Sequence, residues 1–170
     1  MADGETLTMA SDQAPKGQAS SSEALSAGLE CVIGRVQFAL PVDAVHQVAE
    51  YEVAPPPPLA SPWVGGLGLY SGRVLVSISL LSRRVGPAPA RRSAKGVLLN
   101  TPGSEVYWAL EVGSVASFVK AKVLSKGVQV GQAKLPAWVT AAVADDGRSL
   151  GWIHAEQMMQ ELSGQEPARG

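Results

Sequence analysis

From Glu30 onward the chain alternates between apolar and polar positions. Val32, Val36, Phe38, Leu40 and Val42 share one parity while Arg35 and Gln37 take the other, which is the period of a half-buried strand. Val106, Trp108, Leu110 and Val112 stand against Tyr107 and Glu111 in the same way. Val74, Val76, Ile78 and Leu80 alternate with Arg73, Ser77 and Ser79, and a weaker strand runs from Arg148 to Ile153, with Ser149 and Gly151 on its apolar face. Val97-Leu98-Leu99 predicts a short buried strand before the turn Asn100-Thr101-Pro102-Gly103. Two stretches carry helical spacing instead. Val45 and Val48 lie three apart and predict a helical turn after Val42, and residues 155–162 place Met158, Met159 and Leu162 on one side of a C-terminal helix.

These segments repeat. Phe38-Ala39-Leu40-Pro41-Val42-Asp43-Ala44-Val45 aligns with Trp108-Ala109-Leu110-Glu111-Val112-Gly113-Ser114-Val115, seventy residues later. Trp63-Val64, Gly72-Arg73, Leu75 and Ile78 return as Trp138-Val139, Gly147-Arg148, Leu150 and Ile153 at a spacing of seventy-five. Blocks recurring in the same order point to one unit built twice. Each copy, at about 60–70 residues, is marginal alone and gains from packing against the other.

Breakers divide the pattern. Residues 1–28 hold almost no large apolar side chains and predict a disordered tail, as do residues 164–170. The connector 54–62 contains Pro55-Pro56-Pro57-Pro58, which favours a stiff extended path. Residues 86–95 are rich in Pro and Arg, and residues 125–136 are rich in Gly, Lys and Gln, with a weak strand at Val128 and Val130. Many short strands with frequent breaks predict an all-β domain over residues 29–163, made of two small barrels with short helical turns and a C-terminal helix. The first half is expected at about 30–85, the second at about 95–155 and the helix at about 155–162.

Composition narrows the function. A net charge of −1 lacks the basic excess of a nucleic-acid binder. No apolar run approaches the ~20 residues of a membrane span, and the polar start does not resemble a signal peptide, so a cytoplasmic protein is expected. The single cysteine, Cys31, excludes an internal disulfide and reads as a small buried apolar group. His46 and His154 have no carboxylate cluster beside them, there is no Gly-x-Ser-x-Gly elbow, and Gly65-Gly66-Leu67-Gly68 lacks the Lys-Ser/Thr of a phosphate loop. No catalytic, cofactor or metal site is expected. Trp63 and Trp138, at repeat-equivalent places, read as core. Tyr70 has no aromatic twin at Asp145 and reads as a surface contact. The tetraproline reads as a connector, and Arg83, Arg84, Arg91, Arg92 and Lys95 as a solvated basic loop.

The block Phe38–Val45, the proline-rich connector, then Trp63-Val64-Gly65-Gly66 and Gly72-Arg73-Val74-Leu75-Val76 together resemble the CheW-like domain of bacterial chemosensory systems, over about residues 30–162. Trp108-Ala109-Leu110-Glu111-Val112 and the closing segment from Trp138 to Leu162 fit the same pattern. The resemblance implies two SH3-like five-stranded β-barrels and a non-enzymatic adaptor that couples the regulatory domain of a histidine kinase to the cytoplasmic tip of a chemoreceptor. It places Val45 and Gln47 on the adaptor surface of the first barrel, and Gly66 and Gly72 as turn glycines around the signature strand. The family's N-L-R-G becomes Leu69-Tyr70-Ser71-Gly72, so an arginine is replaced by Ser71 and the contact is expected to be specialised, or to keep one partner of the two. Ser79 and His154 stand where the family has Asp, Ser79 being the better helix cap. The expected partner surface is therefore Val45, Gln47, Gly66, Leu69, Tyr70, Ser71 and Gly72. The alternative is a stand-alone β-barrel module that binds a peptide or small ligand.

Overall fold

The computed structural model describes residues 24–81, 90–124 and 135–164. In chain order these form β1 (Ser26–Ile33), β2 (Val36–Pro41), a 3₁₀ turn (Val42–Ala44), β3 (Val45–Val53), β4 (Val64–Tyr70), β5 (Arg73–Ile78), β6 (Arg92–Leu99), β7 (Tyr107–Glu111), β8 (Ser114–Val123), β9 (Val139–Ala144), β10 (Ser149–Ile153) and α1 (Ala155–Leu162). The strands make two five-stranded sheets. One is a closed barrel in the order β1-β2-β10-β9-β8, and the other runs β3-β6-β7-β5-β4. The outer strands of the second sheet meet at one bridge, where Ala54 and Leu67 exchange N–H···O bonds of 2.8 and 3.0 Å.

The repeat is real in register, but the expected division into successive halves is corrected. The barrels are not residues 30–85 and 95–155. Each takes two strands from one copy and three from the other: β1 and β2 join β8–β10, while β6 and β7 join β3–β5. Equivalent positions nonetheless meet equivalent partners. Gly151 lies opposite Phe38 and Trp152 opposite Ala39 in one parallel pair; Val76 lies opposite Trp108 and Ser77 opposite Ala109 in the other. Alternation records which face a residue takes, not which strand lies beside it, so the exchange is invisible to it.

The seam between the sheets holds the largest core cluster, with Phe38, Leu40, Ile78, Leu99, Leu110, Trp138, Ile153 and Met158 among its buried members. The other parity of the same strands fills the barrels: Ala39, Ala142, Leu150 and Trp152 in one, Tyr51, Leu75, Leu98 and Ala109 in the other. Strands at the seam are therefore covered on both faces. In β5 this overturns the simple alternation, because Leu75 and Ser77 are fully buried while Val74 stands exposed. Gly151 is required by this packing, since a Cβ there would approach Phe38 Cδ1 to 2.7 Å.

Other expectations shift locally. Val45 and Val48 lie in β3, not in a helical turn, and the helical conformation is confined to the 3₁₀ turn before them. The 86–95 connector ends sooner than expected, since β6 starts at Arg92. The folded region starts at Ser26, so residues 26–28 belong to β1 rather than to a tail. The C-terminal helix forms over the expected residues. It starts at His154 without a side-chain cap, and the His154 ring bonds Thr140 Oγ1 at 3.0 Å instead. Ser79 accepts a bond from the Leu81 amide at 3.3 Å. The tail calls over 1–23 and 165–170, and the strand at Val128 and Val130, lie outside the described residues.

Trp63 and Trp138 meet across the seam edge to face, with centroids 6.3 Å apart. Trp138 is wholly buried and Trp63 half-buried. Trp138→Ala is expected to destabilise by about 3–5 kcal/mol, and Trp63→Ala by less, because a filled position collapses poorly when emptied. Urea denaturation of the two variants measures the difference.

Candidate functional site

β4 and β5 form a hairpin whose last pair is Tyr70–Arg73, leaving Ser71 and Gly72 as a two-residue turn. Both take positive φ, 51° and 76°. That is the backbone of the tight turn whose twist suits paired strands, and it is why glycine stands at position 72. A Cβ on Gly72 would meet nothing within 4 Å, so the demand there is conformational and not steric. Ser71 is the one described residue other than glycine in this region, at a cost of roughly 1 kcal/mol.

The hairpin tip is fixed from beneath. The Tyr70 ring packs edge to face on Tyr107 of β7, with centroids 5.7 Å apart. The Arg73 guanidinium sits 4.2 Å above the other aromatic of that pair, Tyr107, and donates to the backbone carbonyls of Ser104 and Glu105. Gln47 of β3 donates its side-chain N–H to Tyr70 Oη. Beside this anchored ring, Leu69 is 71% exposed and lies opposite Val74, which is 46% exposed. Together they flank an open groove of about 390 Å³ that continues along Leu67, Gly68 and the end of β3, with an exposed Arg91–Glu52 ion pair (3.6 Å) on its rim.

Of the seven expected contact residues, the structure gathers five here: Gln47, Leu69, Tyr70, Ser71 and Gly72. The other two lie elsewhere in role. Val45 packs onto the seam core. Gly66 is buried inside β4 at a register shift, not in a turn, and a side chain there would run into the Ala54 carbonyl. Sequence reasoning missed Tyr107, Arg73 and Val74. The available signal was again the comparison of copies, since Val74 corresponds to the polar Ser149.

A polar network lies inside the same sheet. Tyr51 and Ser77 share a hydrogen bond of 2.9 Å, and Ser77 donates to Glu111 at 2.6 Å. Arg92 makes a two-pronged pair with Glu111 at 2.7 and 3.0 Å, and it also donates to the Gly65 carbonyl at 3.1 Å. Arg92 is thus a structural cation and not part of a solvated loop; Arg83 and Arg84 lie outside the described residues. The first barrel has its own pair, Arg148 clasping the buried Glu30 carboxylate at 2.7 and 3.1 Å. Among the described residues no group of three or more His, Cys, Asp or Glu side chains could hold a metal ion.

A closed barrel and a second five-stranded sheet that exchange strands, with a pinned aromatic hairpin on the second, define a duplicated β domain. The family model of the CheW-like domain matches residues 27–163, and the chain belongs to that family. Its fold is similar to the crystal structure of the scaffolding protein TtCheW from Thermoanaerobacter tengcongensis, with a TM-score of 0.52 at 13% identity, over 76% of this chain and 88% of that one. No curated protein matches the sequence.

Two outcomes follow from this geometry. Ser71→Gly should raise stability by roughly 0.5–1 kcal/mol in chemical denaturation, by releasing the left-handed strain. Stability should also fall at alkaline pH. Burial pushes the Tyr51 phenol from 10.0 to about 12 and the Cys31 thiol from 9.0 to about 12. A raised native pKa leaves its contribution intact below the unfolded value and removes it as pH climbs to the folded one, here between pH 9 and 12. Tyr51→Phe should abolish the Tyr51 share of that loss, about 1–1.5 kcal/mol by pH 11. Guanidinium denaturation at pH 8 and pH 11 reads the difference.

Proposed function

We propose that this chain is a non-enzymatic chemosensory adaptor that couples the regulatory domain of a histidine kinase to the cytoplasmic tip of a chemoreceptor, and that it acts in the cytoplasm at receptor arrays. Membership of the CheW-like family and the fold shared with a scaffolding protein support this reading. No helix among the described residues is long and apolar enough to cross a membrane.

The observation that carries the choice of surface is the asymmetry between copies. Leu69, Tyr70 and Val74 form an apolar and aromatic edge around a rigid turn, while their equivalents are Ala144, Asp145 and Ser149. An aromatic held by Tyr107 and Gln47 loses little freedom when a partner covers it, which favours it as an anchor. Gln47, Ser71 and Gly72 complete this contact. Ser71 in place of the family's arginine makes recognition here rest on apolar fit more than on a guanidinium fork. The mechanism is geometric: a rigid body holds two partners at a fixed separation.

Leu69→Arg and Ser71→Asp each put a charge into that edge and should weaken binding of the purified kinase domain or receptor tip more than tenfold in calorimetric titration, with the melting temperature nearly unchanged. A control at the fully exposed Leu59, Leu59→Ser, should bind as the parent does. Wild-type affinity in both edge variants would refute the surface. Capture of neither a kinase nor a receptor by the native chain from its host would refute the adaptor and favour a stand-alone binding module.

A further inference from the structure

We infer that the two repeat copies within this chain are complete binding partners for one another, and that a covalent link between them is not needed to hold the folded domain together. The strands before residue 82 and those after residue 89 meet along four ladders: β1 with β8, β2 with β10, β3 with β6, and β5 with β7. The first copy keeps for itself only the hairpins β1–β2 and β4–β5, and the second keeps the pair β6–β7 and the three strands β8–β9–β10. A two-stranded hairpin is marginal in water, and separating the copies would leave sheet edges unpaired on both.

Side chains follow the same division. Glu30 of the first copy is buried and takes both its charge-assisted bonds from Arg148 of the second. Ser77 of the first donates to Glu111 of the second, and Arg73 of the first donates to Ser104 and Glu105 of the second. The seam core draws Phe38, Leu40 and Ile78 from one copy and Leu99, Leu110, Trp138 and Ile153 from the other. An apolar core completed only by both parts, with the buried Glu30 carboxylate paired between them, is the anatomy of an obligate interface between subunits. Backbone bonds also cross beyond the ladders, from Asn100 to Ala44 and from Gly113 to Val32, at 2.8 Å each.

The test uses the full chain with a site-specific protease sequence inserted between Gly86 and Pro87, purified folded and then cut. The cut halves should stay together as a 1:1 species at the elution volume of the intact protein, with unchanged emission from the four tryptophans. Their denaturation midpoint should fall with each tenfold dilution, while that of the uncut chain stays fixed, because only the cut form dissociates on unfolding. Separation of the halves in native buffer, or a red-shifted emission on cutting, would overturn the inference. If the insertion prevents folding, coexpression of residues 1–85 and 86–170 with a tag on one half reads the same question: co-purification supports it, and recovery of the tagged half alone overturns it.

Discussion

The fold depends on the four ladders by which each copy of the duplicated unit is inserted into the other, β1 with β8, β3 with β6, and the two short parallel ones, β2 with β10 and β5 with β7. Each parallel ladder places a bulky residue against a matched neighbour at the seam: Phe38 against Gly151, and Trp108 against Val76. The larger ring faces the branched side chain and the smaller ring lies over the glycine, so the two junctions differ in detail while keeping one register. The two barrels share no strand pair; their relative position is held by the seam core and by the chain crossing between them.

Much of this was legible in the chain. The spacings of seventy and seventy-five residues align strands that prove equivalent in pairing, and Trp63 and Trp138 lie in the core as their repeat positions implied. What stayed hidden has physical causes. β3 carries a register shift between Val45 and Gln47 that pairs Val45 with Leu99 and Val48 with Val97, so two residues three apart share a face and their spacing imitates a helix. Strands at the seam have two buried faces, one apolar and one lined by alanines or by the Tyr51–Ser77–Glu111 network. A polar residue in the alternation was therefore not evidence of solvent.

The candidate site was read by subtraction, from where the copies disagree. That placed Leu69, Tyr70 and Ser71 together on a hairpin tip, and it left out Tyr107 and Arg73, which support the tip from another strand and from beneath the ring. Support of this kind has no signature in one-dimensional comparison, since Tyr107 reads there as the polar side of an ordinary strand. Duplication gave the protein two similar barrels, and divergence at one turn made them different: Asp146 and Arg148 pair at one tip (2.8 Å), while an aromatic and an exposed leucine occupy the other.

The central claim is that the partner surface lies on the β4–β5 hairpin and not on its counterpart. Amide chemical-shift mapping of the full chain on addition of the kinase regulatory domain tests it most directly. The largest changes should fall at Gln47 and over residues 69–74, with residues 144–149 unmoved. Changes concentrated at 144–149, or none at the β4–β5 tip at saturation, would contradict it.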